Sequence, residues 1–180
     1  GYLKRAGVYA EFAKIICICI GVLAEDKTSN TIKIRIKTFT GDDEKQLLKD
    51  CQKLLDRCGK LDFFLCGHNL KNFDIPMLAK RMIINGLMPP SILPSYDTKP
   101  WDMKVIDTKE IWACGAFGSL GTLELICISL GIESPKNMEV VGNKVHEAFW
   151  KKKDIESITD YCEKDTVTLV EILMKLKDLK

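Results

Sequence analysis

The stretch Cys66–Pro76 reads CGHNLKNFDIP. It follows the apolar run LDFFL (61–65) and leads into MLAKRMIING (77–86), which has helical spacing. We expect a buried strand over LDFFLCG, a polar turn, and a helix closed by Asn85-Gly86. A strand end that leads into a helix start is where α/β sheets place ligands. Asp74 admits two readings that do not exclude each other. It can be an N-cap with Pro76 in the first helical turn, or a carboxylate on the rim of an active site.

Outward from this stretch the chain alternates strands and helices. Upstream, AKIICICIGVL (13–23) is β-rich, and NTIKIRIKTFTG (30–41) alternates Ile with Lys or Arg. With turn chemistry between them they predict a hairpin. Ile32, Ile34 and Ile36 would face inward, and the basic residues would form a solvated face or guard an edge. Next, DDEKQLLKDCQKLLDRCG predicts a helix with acids at its start and Gly59 at its end. Downstream, 87–102 carries four prolines and reads as loop, MKVIDT as a short strand, and GTLELICISLGI as a helix stopped at Gly131. The last helix begins near Asp154. The order β–β–α–β–α–loop–β–α–loop–α predicts an α/β fold, a mixed sheet flanked by helices. We read residues 1–180 as a single domain.

Bulk properties narrow the function. The 180 residues are 46% hydrophobic and carry a net charge of only +2. That excludes a whole-molecule polyelectrolyte binder, so a nucleic-acid site would be a local patch or a metal site. The strongest apolar run, Ile15–Ala24, is too short to span a bilayer. No secretory signal precedes it, so we expect a cytoplasmic protein with no membrane partner. The eight cysteines show no CxxC pair and no zinc spacing, so they read as reduced core thiols.

The last helix carries an anomaly. Ile155, Ile158, Cys162, Asp165, Leu169, Ile172, Leu176 and Leu179 recur at steps of three and four. All are apolar except Asp165, and a carboxylate on a core stripe is costly unless something pairs with it. Tyr161 lies one turn earlier on the same side. Asp165 is either a rim residue bonded to Tyr161 or a nearby Lys, or a ligand that needs carboxylates from elsewhere.

Taken together, HNLKNFD and YCEKD resemble the second and third motifs of the DEDDy 3′–5′ exonucleases. The flanking blocks AGVYAEFAKIICICIG, KPWDMKVIDTKEIW and LGIESPK are similar to a bacterial branch related to the exonuclease domain of family B DNA polymerases. The resemblance covers essentially the whole chain. It implies an RNase H-like fold, two divalent cations (Mg²⁺ or Mn²⁺), and single-stranded nucleic acid as substrate, with DNA favoured. It implies Asp74 and Asp165 as metal ligands and Tyr161 as the residue that orients the attacking water. Asn69 and Phe73 would position the terminal nucleotide, and Lys136 would lie near phosphate. His68, beside Asn69, reads as a cap on the strand end or as a contact to substrate. Two cations suit phosphodiester hydrolysis because they stabilise both attacking and leaving oxygens.

One part of the pattern is missing. The family's Asp-x-Glu strand should precede YAEFAKIICICIG, but GYLKRAGV (1–8) holds no acid. Asp42/Glu44 and Asp154/Glu156 have the right spacing but open helices, so they read as helix-start acids. We expect a sheet without its first strand, an edge that could pair with a second copy, and a fragment with little activity. His146 is too far from Asp165 to serve the His branch of these enzymes. Asp107 reads as a structural residue at a strand end. The alternatives to the DNA exonuclease are a non-catalytic RNase H-like binding module and an RNase D-like exoribonuclease.

Overall fold

Alternation over residues 17–40 produces the predicted hairpin. β1 (Cys17–Asp26) and β2 (Thr31–Thr40) pair antiparallel along their whole length, from Cys17 opposite Thr40 to Asp26 opposite Thr31. The computed structural model describes residues 7–26, 31–95, 97–116, 118, 121–135, 145 and 148–177. Lys136 and His146 lie outside them.

The following elements are α1 (Glu44–Lys60), β3 (Leu65–Gly67), α2 (Asp74–Ile84), β4 (Val105–Asp107), α3 (Thr108–Ala113) and α4 (Leu123–Leu130). A π-helical turn at Ala148–Lys152 precedes the last helix, α5 (Ile155–Lys177). The chain forms two compact units. The first holds residues 1–16 and 41–126, the second 17–40 and 127–180. Among the described residues no helix is long and apolar enough to cross a membrane.

In the first unit, α1 buries Leu47, Leu48, Cys51, Leu55 and Cys58, the stripe its spacing predicts. Asp43 caps it, its carboxylate accepting the Gln46 N–H at 3.0 Å. The helix passes through Gly59 and ends at Lys60. Gly59 instead lets the last turn pass Ser91 and Ile92, since a Cβ there would lie 3.3–3.6 Å from their atoms. The expected buried strand over LDFFLCG is shorter than predicted. Only Leu65–Gly67 pairs, in parallel with Val105–Asp107, while Phe63 and Phe64 are exposed. Strand pairing is limited by the partner, and β4 supplies only three residues.

Glu44 departs furthest from its expected role. It does not merely face the helix dipole; it is buried in a network. Its carboxylate accepts from Arg81 Nε at 2.9 Å, from Arg81 Nη2, from the Ile15 N–H at 2.6 Å and from Asn85 Nδ2 at 3.1 Å. Arg81 Nη1 also donates to the Ala10 carbonyl at 2.9 Å. One ion pair thus ties residues 10–15, α1 and α2 together. Burial alone would raise the Glu44 pKa, but the bonds from Arg81, Ile15 and Asn85 outweigh it and hold the carboxyl below its usual range.

In the second unit, α5 lies on the hairpin. The Thr38 hydroxyl donates to Glu163 at 2.5 Å. Gly21 leaves room for Thr166, whose Cγ2 would be 3.1 Å from an added Cβ. Asp154 caps α5 by accepting the Ser157 N–H at 3.0 Å, the helix-start role its position predicts. Ile158, Ile172 and Leu176 of the predicted stripe are buried. On β2 the basic residues are exposed as expected, but so are Ile32 and Ile36, at 44% and 36%. Ile36 stands opposite Gly21, which has no side chain to cover it. Among the described residues the strands form two small ladders, one antiparallel and one parallel, flanked by helices as the α/β reading expects.

Candidate active site

The turn after β3 is built by Asp107. This carboxylate is 3% exposed and accepts the Asn69 N–H at 2.8 Å, the Lys71 N–H at 3.2 Å and the Lys109 N–H at 3.0 Å. The last of these caps α3. One side chain therefore shapes the turn after β3 and starts the helix after β4. Asn69 sits at φ +60°, a left-handed conformation that Asn tolerates better than most residues. Its carbonyl accepts the Phe73 N–H at 3.1 Å, and its side-chain oxygen accepts from Lys109 Nζ at 3.2 Å. Gly67 is required where the chain folds back, because a Cβ would stand 2.9 Å from Leu70 Cβ.

His68 is spent on the same turn. Its Nε2 lies 3.1 Å from the Gly121 carbonyl and its Nδ1 lies 3.2 Å from Thr108 Oγ1. A carbonyl only accepts, so Nε2 carries the proton and donates. The Thr108 hydroxyl lies 3.2 Å from both Nδ1 and the Gly67 carbonyl, and its single proton is shared between these two acceptors. Burial lowers the His68 pKa, against the raising influence of Asp107 and of the bond to Gly121. Both ring nitrogens serve the protein, which favours a strand-end role for His68 over contact with substrate.

Asp74 is the first residue of α2 and is exposed. It is not the N-cap: Phe73 occupies that position and makes no side-chain cap bond. In the first turn the Ile75 N–H is satisfied by the backbone instead, donating to the Leu70 carbonyl at 3.0 Å. Phe73 is 40% exposed. The structure thus gathers His68, Asn69, Phe73 and Asp74 on one Asp107-braced turn of the first unit.

Tyr161 and Asp165 belong to the second unit. They stand one turn apart on α5, both half-buried, and Asp165 Oδ1 is fully shielded from solvent. Between them Cys162 meets Cys17 and Cys19 of β1. Hydrogen bonding from Cys162 lowers the Cys17 pKa, and contact with Cys17 followed by burial pushes Cys162 up to about 12. All eight cysteines are free thiols, and Cys114 is the exposed one.

Thr108, Lys109, Glu44 and Arg81 hold these arrangements together; the sequence suggests only a helix-start role for Glu44 and none of these long-range contacts. No short-range signal marks them, because their partners lie roughly 40 positions away.

The architecture is that of a polymerase exonuclease domain, the RNase H-like α/β fold. A family B DNA polymerase from the hyperthermophilic archaeon Pyrobaculum calidifontis superposes with a TM-score of 0.63 at 14% identity. The match covers 92% of this chain and 25% of that one, so the chain spans about a quarter of the polymerase's length. Residues 8–179 match the family described as predicted 3′–5′ exonucleases related to the exonuclease domain of PolB, and the chain belongs to that family. No curated protein matches it.

Exonucleases of this kind usually use divalent metals. Among the described residues, however, no group of three or more His, Cys, Asp or Glu converges as an ion would need. The motif acids supply two carboxylates, one on α2 and one on α5.

Proposed function

We propose that this domain is a 3′–5′ exonuclease that hydrolyses phosphodiester bonds at the 3′ end of single-stranded DNA. The observation that carries the proposal is the family match from residue 8 to residue 179, with both motifs on the elements their spacing predicts. Asp74 and Asp165 are the proposed carboxylates for Mg²⁺ or Mn²⁺, whose hard character suits oxygen ligands. The Tyr161 phenol, one turn before Asp165, is proposed to orient the attacking water. Asn69 and Phe73 are proposed to seat the terminal nucleotide, with the exposed Phe73 ring offering a face for stacking. Lys136 is proposed as a phosphate contact on the family resemblance alone.

A second reading has one observation in its favour. The lack of a three-ligand group among the described residues suits a binding module without chemistry. The two readings separate in one experiment. The 180-residue chain is incubated with 5′-labelled single-stranded DNA and its RNA counterpart, with Mg²⁺ or Mn²⁺. The exonuclease reading expects at most slow, metal-dependent shortening from the 3′ end that Asp165→Ala abolishes, because the fragment is expected to have little activity; robust digestion would overturn that expectation. Retarded but intact strands would support the binding module, and faster loss of the RNA would overturn the DNA preference.

A further inference from the structure

The turn at residues 67–74 uses backbone donors to hold its own shape. The Asn69 and Lys71 N–H groups go to Asp107, and those of Asn72 and Phe73 go to the Asn69 carbonyl. Lys71 Nζ is taken by Glu110 at 2.6 Å. The Asn69 side chain differs. Its Oδ1 accepts from Lys109 Nζ at 3.2 Å and from Asn72 Nδ2 at 3.3 Å. An ammonium only donates, so the oxygen of the Asn69 amide, not its NH2 group, faces Lys109. Oδ1 and Nδ2 leave one carbon in different directions, so pinning the first aims the second. Asn69 is half-buried, and among the described residues its Nδ2 donates to nothing. The turn thus keeps an oriented side-chain donor unused, on the same residue whose carbonyl holds the exposed Phe73.

We propose that Lys109 is a positioning residue for substrate: it locks the Asn69 amide so that Nδ2 donates to an oxygen of the 3′-terminal nucleotide. Without the ammonium the amide can turn over and present Oδ1, which repels an oxygen. With it, the turn favours a hydrogen-bond acceptor, and a nucleotide offers acceptors in its phosphate and sugar oxygens. Lys109 reaches Asn69 from the first turn of α3. Asp107 sets both ends of the contact. One of its carboxylate oxygens accepts the Asn69 N–H at 2.8 Å and the Lys109 N–H at 3.0 Å. The lock is therefore built from the same carboxylate that shapes the turn. The inference rests on the reading of Asn69 as a seat for the terminal nucleotide. It deepens that reading by naming the residue that fixes the direction of the hydrogen bond.

The test separates the donor from the fold. A 5′-fluorescein-labelled thymidine tetranucleotide is titrated with the 180-residue chain in EDTA by fluorescence anisotropy. Two analogues alter its 3′ end. A terminal 3′-deoxynucleotide lacks the 3′ oxygen, and a methylphosphonate replaces one oxygen of the last phosphate. The parent should bind at least one analogue about fivefold more weakly than the natural strand, the loss of one hydrogen bond. The analogue that loses affinity identifies the acceptor. Asn69→Gly suits the left-handed φ and should bind that analogue and the natural strand alike. Lys109→Met should lose most of the same discrimination, and Lys109→Arg should keep it. Adding Lys109→Met to Asn69→Gly should change nothing further. Circular dichroism checks each fold, and Lys109→Ala replaces Lys109→Met if that chain misfolds. The inference is wrong if the parent binds all three strands alike, or binds none, or if Lys109→Met discriminates as the parent does. It is also wrong if the Lys109→Met effect persists in Asn69→Gly, which would make Lys109 a direct contact. A parent that discriminates but digests nothing with Mn²⁺ overturns the exonuclease reading alone. One that digests yet discriminates against neither analogue overturns this inference alone.

Discussion

The turn at residues 67–74 and helix α5 each carry one exonuclease motif, and they are held in different ways. The turn owes its shape to Asp107, a residue 38 positions from Asn69. Helix α5 owes the Tyr161–Asp165 spacing to its own backbone ladder, started by the Asp154 cap three residues before Ser157. One motif is positioned by a distant side chain, the other by local geometry. A distant change can therefore distort the first motif while the second keeps its spacing.

The largest expected effect comes from the ion pair in the turn's own unit. Arg81→Met leaves Glu44 buried without its guanidinium and should cost about 3–5 kcal/mol in denaturant unfolding. Glu44→Gln/Arg81→Met should recover part of that loss. The same pair sets a pH dependence. Because the folded Glu44 pKa is lowered, its contribution is present above the ordinary value of 4.5 and is lost as pH falls from there through the folded value. Midpoints measured across that acid range should fall less steeply in Glu44→Gln than in the parent.

Next in size is Asp107→Ala, which strands the N–H groups of Asn69, Lys71 and Lys109. It should cost about 3 kcal/mol. Hydrogen exchange sharpens the comparison: the Asn69 and Lys71 amides should exchange faster while mid-α5 amides keep their relative protection. Equal acceleration in both regions would show that the two motifs are not separately held. The smallest effect is Asp154→Ala, about 1 kcal/mol from a lost cap. It should fray the first turn of α5 and leave the Asn69 and Lys71 amides unchanged.

Particular residues show what could be read from the chain. The α1 stripe, the α5 stripe and the β1–β2 hairpin follow from periodicity, since repeats of about 3.6 and about 2 residues are properties of the backbone. Gly131 ends α4 at φ +64°, as its position predicts. Asp74 is legible as a helix-start acid but not as the residue after the cap. Phe73 takes the cap because the turn closes from Asn69, and Asn69 is fixed by Asp107. In the sequence Glu44 looks like any acid at a helix start. Only packing against Arg81, Ile15 and Asn85 makes it a buried hub.

The sequence by itself determined the order of the strands and of the helices other than α3, the two motifs and the one carboxylate on an apolar helical stripe. It did so because each rests on contacts between residues a few positions apart. The tertiary structure decided the long-range roles of Asp107 and Glu44. Asp107 and Glu44 satisfy donors from segments roughly 30 to 40 residues away, and no local pattern encodes such a partner. It also decided that Ile32 and Ile36 stay exposed and that, among the described residues, one ladder is antiparallel and the other parallel. Cross-strand partners and strand lengths set those outcomes, and both are properties of the assembled chain.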